Sequence, residues 1–95
     1  MLLSIVVPVY NEEEHIALLY NAVTKVMTGL PSEYELIYVD DGSTDSSVVV
    51  LREIAKLDTR VKVVLLARNF GHQTALTCGL DYAKGDAVIT MDGDM

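Results

Sequence analysis

The chain has 95 residues, 51% of them hydrophobic, with its charged residues dispersed, a composition that suits one small folded domain and excludes a disordered tail. Fourteen acidic residues against seven basic give a net charge of −7 without any Lys/Arg cluster, which excludes nucleic acid held by counterion release. The single cysteine, Cys78, rules out an internal disulfide and a thiolate metal site, and it fits a reducing, cytoplasmic setting.

The first predicted element is a strand over Leu2–Val7, a nearly continuous aliphatic run of the kind buried on both faces of a parallel sheet. It lacks a basic flank and a small-residue cleavage site and runs into Pro8 and Asn11-Glu12-Glu13-Glu14, so it reads as neither a signal peptide nor a membrane span. A helix follows, with Ile16, Leu19, Tyr20, Val23, Val26, Met27 and Leu30 at steps of three and four. Asn11 and Glu14 have capping-box spacing, and Gly29 with Pro31 supplies the stop. A second strand is expected over Tyr34–Val39. A second helix then carries Val48, Leu51, Ile54 and Ala55 on one stripe, with Ser43 or Thr44 as N-cap. The third strand is read over Val61–Leu66. A third helix has Ala75, Leu76, Gly79, Leu80 and Ala83 on one face and Cys78 in its middle, and a fourth strand spans Ala87–Met91.

This β-α-β-α-β-α-β alternation, without repeat or linker, predicts a single α/β domain over residues 1–95 with an open parallel sheet and alternating helices. The expected spatial strand order is 3-2-1-4, because the polar residues after the first and fourth strands must flank one crevice at the carboxyl edge of the sheet. Those residues are Pro8, Tyr10 and Glu12 after the first strand, Asp40 and Asp41 after the second, Arg68 and Asn69 after the third, and Asp92 and Asp94 after the fourth.

The first strand-to-helix loop has no glycine, which removes both the dinucleotide fingerprint and the phosphate-binding P-loop. A divalent cation can replace a glycine cradle. Asp92 and Asp94, two residues apart in an extended segment, can present hard carboxylate oxygens to one Mg²⁺ or Mn²⁺ ion. Asp40 and Asp41 read either as turn chemistry or as acceptors for the N–H and hydroxyl groups of a nucleoside. Glu12 is either an acid favoured by a helix N-terminus or a ligand contact; Tyr10 either covers the sheet edge or flanks a base. Arg68 either neutralises the acidic cluster or contacts a phosphate. His15 and His72 lack ligand spacing and read as surface or capping residues.

Three stretches, Ser4–Glu13, Val39–Asp45 and Gly85–Asp94, resemble in order and spacing the amino-terminal half of inverting family 2 glycosyltransferases. The segment Ala67-Arg68-Asn69-Phe70-Gly71-His72 is similar to the branch that transfers sugars to polyprenyl phosphates. The resemblance covers nearly the whole chain and implies a Rossmann-like nucleotide-diphospho-sugar transferase fold that stops after its fourth strand. It implies that Pro8 and Tyr10 border the nucleobase, that Glu12 lies near the ribose, that Asp41 (or, second, Asp40) hydrogen-bonds the base, and that Asp92 and Asp94 hold the metal and diphosphate. Gly93 stands where the family often has Ala. The implied activity is in-line transfer of a sugar from a nucleotide-diphosphate sugar to an acceptor, a polyprenyl phosphate, by a parent enzyme at the cytoplasmic face of the membrane. The catalytic base and acceptor site would lie beyond Met95.

Two other readings fit less well. A haloacid dehalogenase-like phosphotransferase would carry its Asp-x-Asp on an early strand, not the fourth. A receiver-like binding module would need a phosphoacceptor after the third strand, where this chain has Arg68-Asn69. The exposed strand edges expected of such a domain predict self-association into a homo-oligomer.

Overall fold

The computed structural model describes residues 1–92. Its elements run β1 (Leu2–Val9), α1 (Glu13–Thr28), β2 (Glu33–Asp40), α2 (Ser47–Leu57), β3 (Val61–Leu65), α3 (His72–Tyr82) and β4 (Ala87–Thr90). The four strands form one parallel sheet in the order β3-β2-β1-β4, as the placement of the polar loops requires.

Right-handed crossovers explain the layering. The chain steps from β1 to β2 to β3 in one direction and then reverses to reach β4 on the far side of β1, so α3 must lie on the opposite face from α1 and α2. Alternate strand residues feed the two cores accordingly. Ile5, Val7 and Val9 of β1 join Leu36 and Tyr38 of β2 under Ile16, Leu19, Val23 and Met27 of α1 and Leu51 of α2. Val6, Ile37 and Val39 face Ala75 of α3. Gly79 lets α3 approach closely, since a Cβ there would lie 2.3 Å from Val6 Cγ1.

β1 extends two residues beyond the strand read from the sequence, through Pro8 to Val9. Proline is tolerated in this central strand for a specific reason. Val6 O accepts from Met91 N, so even-numbered residues of β1 turn their backbone groups toward β4. The last β1–β4 pair is Val6 with Thr90, and the missing N–H of Pro8 falls where that ladder has ended.

Two helix-end expectations are corrected. The N-cap of α1 is Glu12, not Asn11, and no side chain caps it. The N-cap of α2 is Ser46, not Ser43 or Thr44. Asn11, Ser43 and Thr44 instead bond across two loops, as described below. On the predicted stripe of α1, Val26 and Leu30 are 63% and 50% exposed, beside an apolar groove that also includes Leu3, Ile5, Met27 and Ile89. Among the described residues, no helix is long and apolar enough to cross a membrane.

Candidate functional site

The switch point of this sheet lies between β1 and β4, where the crossover reverses, and the carboxyl edge opens there into a cleft of about 420 Å³. Its walls come from four strand ends. The end of β1 and its loop contribute Pro8, Val9, Tyr10 and Glu12; the end of β2 contributes Asp41. The β3–α3 loop and the start of α3 contribute Asn69, Gly71 and His72, and Asp92 follows β4. Thr90 pairs with Val6, so continuing the register brings Asp92 level with Pro8.

Asp41 is 3% exposed and carries two loads. Its Oδ1 accepts from the Phe70 amide at 2.8 Å and its Oδ2 from the Gly71 amide at 3.1 Å, which fastens the β3–α3 loop to the end of β2. Each oxygen keeps a further lone pair for a donor in the cleft. Gly42 makes this clasp possible: its φ is +74°, and a Cβ there would lie 2.4 Å from the Arg68 carbonyl carbon.

Asp40 has a different environment. It is 1% exposed, its Oδ2 accepts from Ser43 N at 3.0 Å, and its Oδ1 has no hydrogen-bond partner among the described residues. It shapes the turn from behind and does not line the cleft. Of the adjacent carboxylates, Asp41 is the one at the wall.

Tyr10 is exposed, and Glu12 shares a 2.7 Å hydrogen bond with His15 Nδ1. Arg68 is not part of the cleft wall; its guanidinium lies 4.2 Å from the Phe70 ring centroid in a cation–π contact. Asp94, the second expected metal ligand, lies outside the described residues. Among the described residues no three His, Cys, Asp or Glu side chains converge as a metal-binding group. The metal reading therefore rests on the hard-oxygen chemistry of Asp92, which is exposed at the cleft, together with its sequence partner Asp94.

Of the residues expected at the site, Pro8, Tyr10, Glu12, Asp41 and Asp92 come together, whereas Asp40 and Arg68 stay off the wall. His72, expected as a surface or capping residue, is exposed as the first residue of α3 and also borders the cleft. Loops leaving the carboxyl edge of such a sheet border the crevice up to the next helix start, which extends this wall past Asn69 to Gly71 and His72.

Comparisons with known proteins bear on the family and the fold. The family model described as glycosyl transferase family 2 matches residues 4–95. An uncharacterized glycosyltransferase of Bacillus subtilis, YkcC, is 50% identical over 97% of this chain and 28% of its own length. The undecaprenyl-phosphate 4-deoxy-4-formamido-L-arabinose transferase of Proteus mirabilis is 46% identical over 97% of this chain and 28% of its own. The chain thus spans under a third of the length of these relatives. Among solved structures, S. aureus TarS in complex with UDP-GlcNAc superposes with a TM-score of 0.86 at 33% identity, covering 99% of this chain and 27% of that one. The mannosyltransferase PcManGT of Pyrobaculum calidifontis, in complex with GDP-Man and Mn²⁺, gives 0.84 at 25% identity, covering 97% and 27%. A match of this extent to one family model, on a sheet and cleft of the expected topology, means that the chain belongs to glycosyl transferase family 2.

Proposed function

We propose that this chain forms the donor-binding part of an enzyme that transfers a sugar from a nucleotide-diphosphate sugar to a polyprenyl phosphate. The observation that carries the reading is the pairing of Asp41 and Asp92 in one cleft at the switch point, one carboxylate buried and hydrogen-bonded, the other exposed. In this reading Asp41 accepts an N–H of the base through a lone pair its two amide contacts leave open. Pro8 and Tyr10 border the base plane, Glu12 lies toward the ribose, and Asp92 with Asp94 faces the diphosphate. A bound Mg²⁺ or Mn²⁺ ion would supply positive charge to the diphosphate oxygens. Arg68 would reach a phosphate only by leaving its stack on Phe70.

The donor class is supported by structures of similar proteins with UDP-GlcNAc or with GDP-Man and Mn²⁺. The acceptor class is supported by relatives named for undecaprenyl phosphate and bactoprenol. The cytoplasmic face of the membrane follows as the place where such a donor and a lipid acceptor meet.

Calorimetry with uridine and guanosine diphosphates tests this. One of them should bind in Mn²⁺ and not in chelator, because carboxylates in the cleft repel an unscreened diphosphate. Asp92→Asn should weaken the Mn²⁺-dependent binding by about tenfold or more, the loss of one charge-assisted contact. Binding of neither nucleotide with metal, in a folded protein, would sink the assignment.

A further inference from the structure

Asn11 carries no role in the reading above, yet its conformation and contacts are unusual. It is the one non-glycine residue with positive φ among the described residues, at 50°. An Asn is among the few side chains that occupy that region readily. The left-handed turn sends its carboxamide away from α1 and across to the β2–α2 loop. There Oδ1 accepts from Thr44 N at 2.8 Å and from Asp45 N at 3.3 Å.

The traffic also runs the other way. The Asn11 amide donates to Ser43 Oγ at 2.9 Å, Glu12 N donates to Ser47 Oγ at 3.0 Å, and Glu13 N donates to Asp45 Oδ2 at 3.4 Å. These contacts join segments more than thirty residues apart, so they set the position of one loop against the other rather than the shape of either.

What the interlock holds is the cleft. Asn11 sits between Tyr10 and Glu12, both on the wall; Ser43 and Thr44 directly follow the Asp41-Gly42 turn, with Asp41 on the same wall. We infer that Asn11 is a positioning residue for the donor site: its carboxamide fixes Tyr10 and Glu12 on the β1–α1 loop relative to Asp41 on the β2–α2 loop. This inference rests on the donor-binding reading. It adds that the wall is assembled by a contact outside the cleft, which lowers the ordering cost that two independent loops would meet on binding.

Asn11→Gly removes Oδ1 while keeping the positive φ free of strain, and Asn11→Asp restores the acceptor. Both are compared with the parent sequence by calorimetry with uridine and guanosine diphosphates and Mn²⁺, well below the melting temperature of each variant. The expected result is about tenfold weaker binding for Asn11→Gly, the loss of contacts worth about one hydrogen bond, with recovery to within about threefold in Asn11→Asp. A purely structural role would lower the melting temperature of Asn11→Gly and leave its affinity at the parent value, and that result would overturn the inference. Amide hydrogen exchange reads the interlock without ligand: Thr44 and Asp45 should be protected in the parent and in Asn11→Asp, and exposed in Asn11→Gly. Equal exchange in all three would overturn it too. A parent that binds neither nucleotide would remove the donor-binding reading and the positioning role with it, even if the exchange data upheld the interlock.

Discussion

Asp58, at the end of the sheet away from the cleft, is the most strongly held carboxylate described. Arg60 reaches it through Nε at 3.0 Å and a second guanidinium nitrogen at 3.1 Å, Tyr20 donates its hydroxyl at 2.7 Å, and the Arg60 amide adds a fourth contact at 3.0 Å. The Arg60 bonds, joined by the single bond from Tyr20 and outweighing the cost of burial, hold the Asp58 carboxyl at a pKa of about 2. A carboxyl depressed by folding stabilises the native state fully above its unfolded value and loses that contribution as pH falls through the native one. The window is therefore from about pH 4 down to about pH 2. Asp58→Asn should lower stability near neutral pH by about 1–2 kcal/mol and flatten the acid limb of a urea-unfolding profile across that window. An unchanged acid limb would show that the Arg60 contact is made equally in the unfolded chain.

Between elements, the buried polar residues act as clips at loop crossings. Ser4, fully buried in β1, donates to Glu35 Oε2 at 2.6 Å and accepts from Gly85 N at 2.7 Å; Glu35 Oε2 also accepts from Lys84 N at 2.8 Å. Burial pushes the Glu35 carboxyl up, but Ser4, the Lys84 amide and Lys62 together hold it below its usual range. The clip ties the α3–β4 connection to both central strands and so sets where β4 begins. Ser4→Ala would take one partner from the buried Glu35 carboxylate and leave the part-buried Gly85 amide without its acceptor. It should cost about 1–3 kcal/mol in denaturant unfolding, more than an exposed serine would. A loss within experimental error would mean that water replaces the hydroxyl. The Asp41 clasp on the β3–α3 loop and the Asn11 interlock are built the same way, with side chains satisfying backbone groups of a different loop.

For the whole molecule, the two sheet edges differ. β3 is packed by α2, whereas Val88 and Ile89 of β4 are 43% and 47% exposed and continue into the groove beside Val26 and Leu30. A strand edge with unpaired amides next to apolar side chains favours pairing with another chain. Light scattering on the 95-residue chain over a concentration series should show self-association, and Ile89→Lys should reduce it. A monodisperse monomer at the highest concentration would refute this expectation.

Much of this was legible in one dimension because hydrophobic periodicity and topology are strongly coupled. Four aliphatic runs separated by helical stripes allow few parallel arrangements, and right-handed crossovers reduce them further; hence the strand order, and with it Pro8, Tyr10, Glu12, Asp41 and Asp92 along one edge, followed from the residues. Which side chains reach the cleft did not. Asp40 and Asp41 are chemically identical neighbours that composition and spacing do not separate; the family resemblance alone ranks Asp41 first, and the turn at Gly42 with the loop folded over it is what turns Asp41 to the wall and Asp40 behind it. Asn11 had the spacing of a helix cap, and a loop more than thirty residues away in sequence claimed its carboxamide instead. Local pattern records what a residue offers to its own segment; partners across the fold compete for the same groups, and that competition is decided only when the segments are brought together.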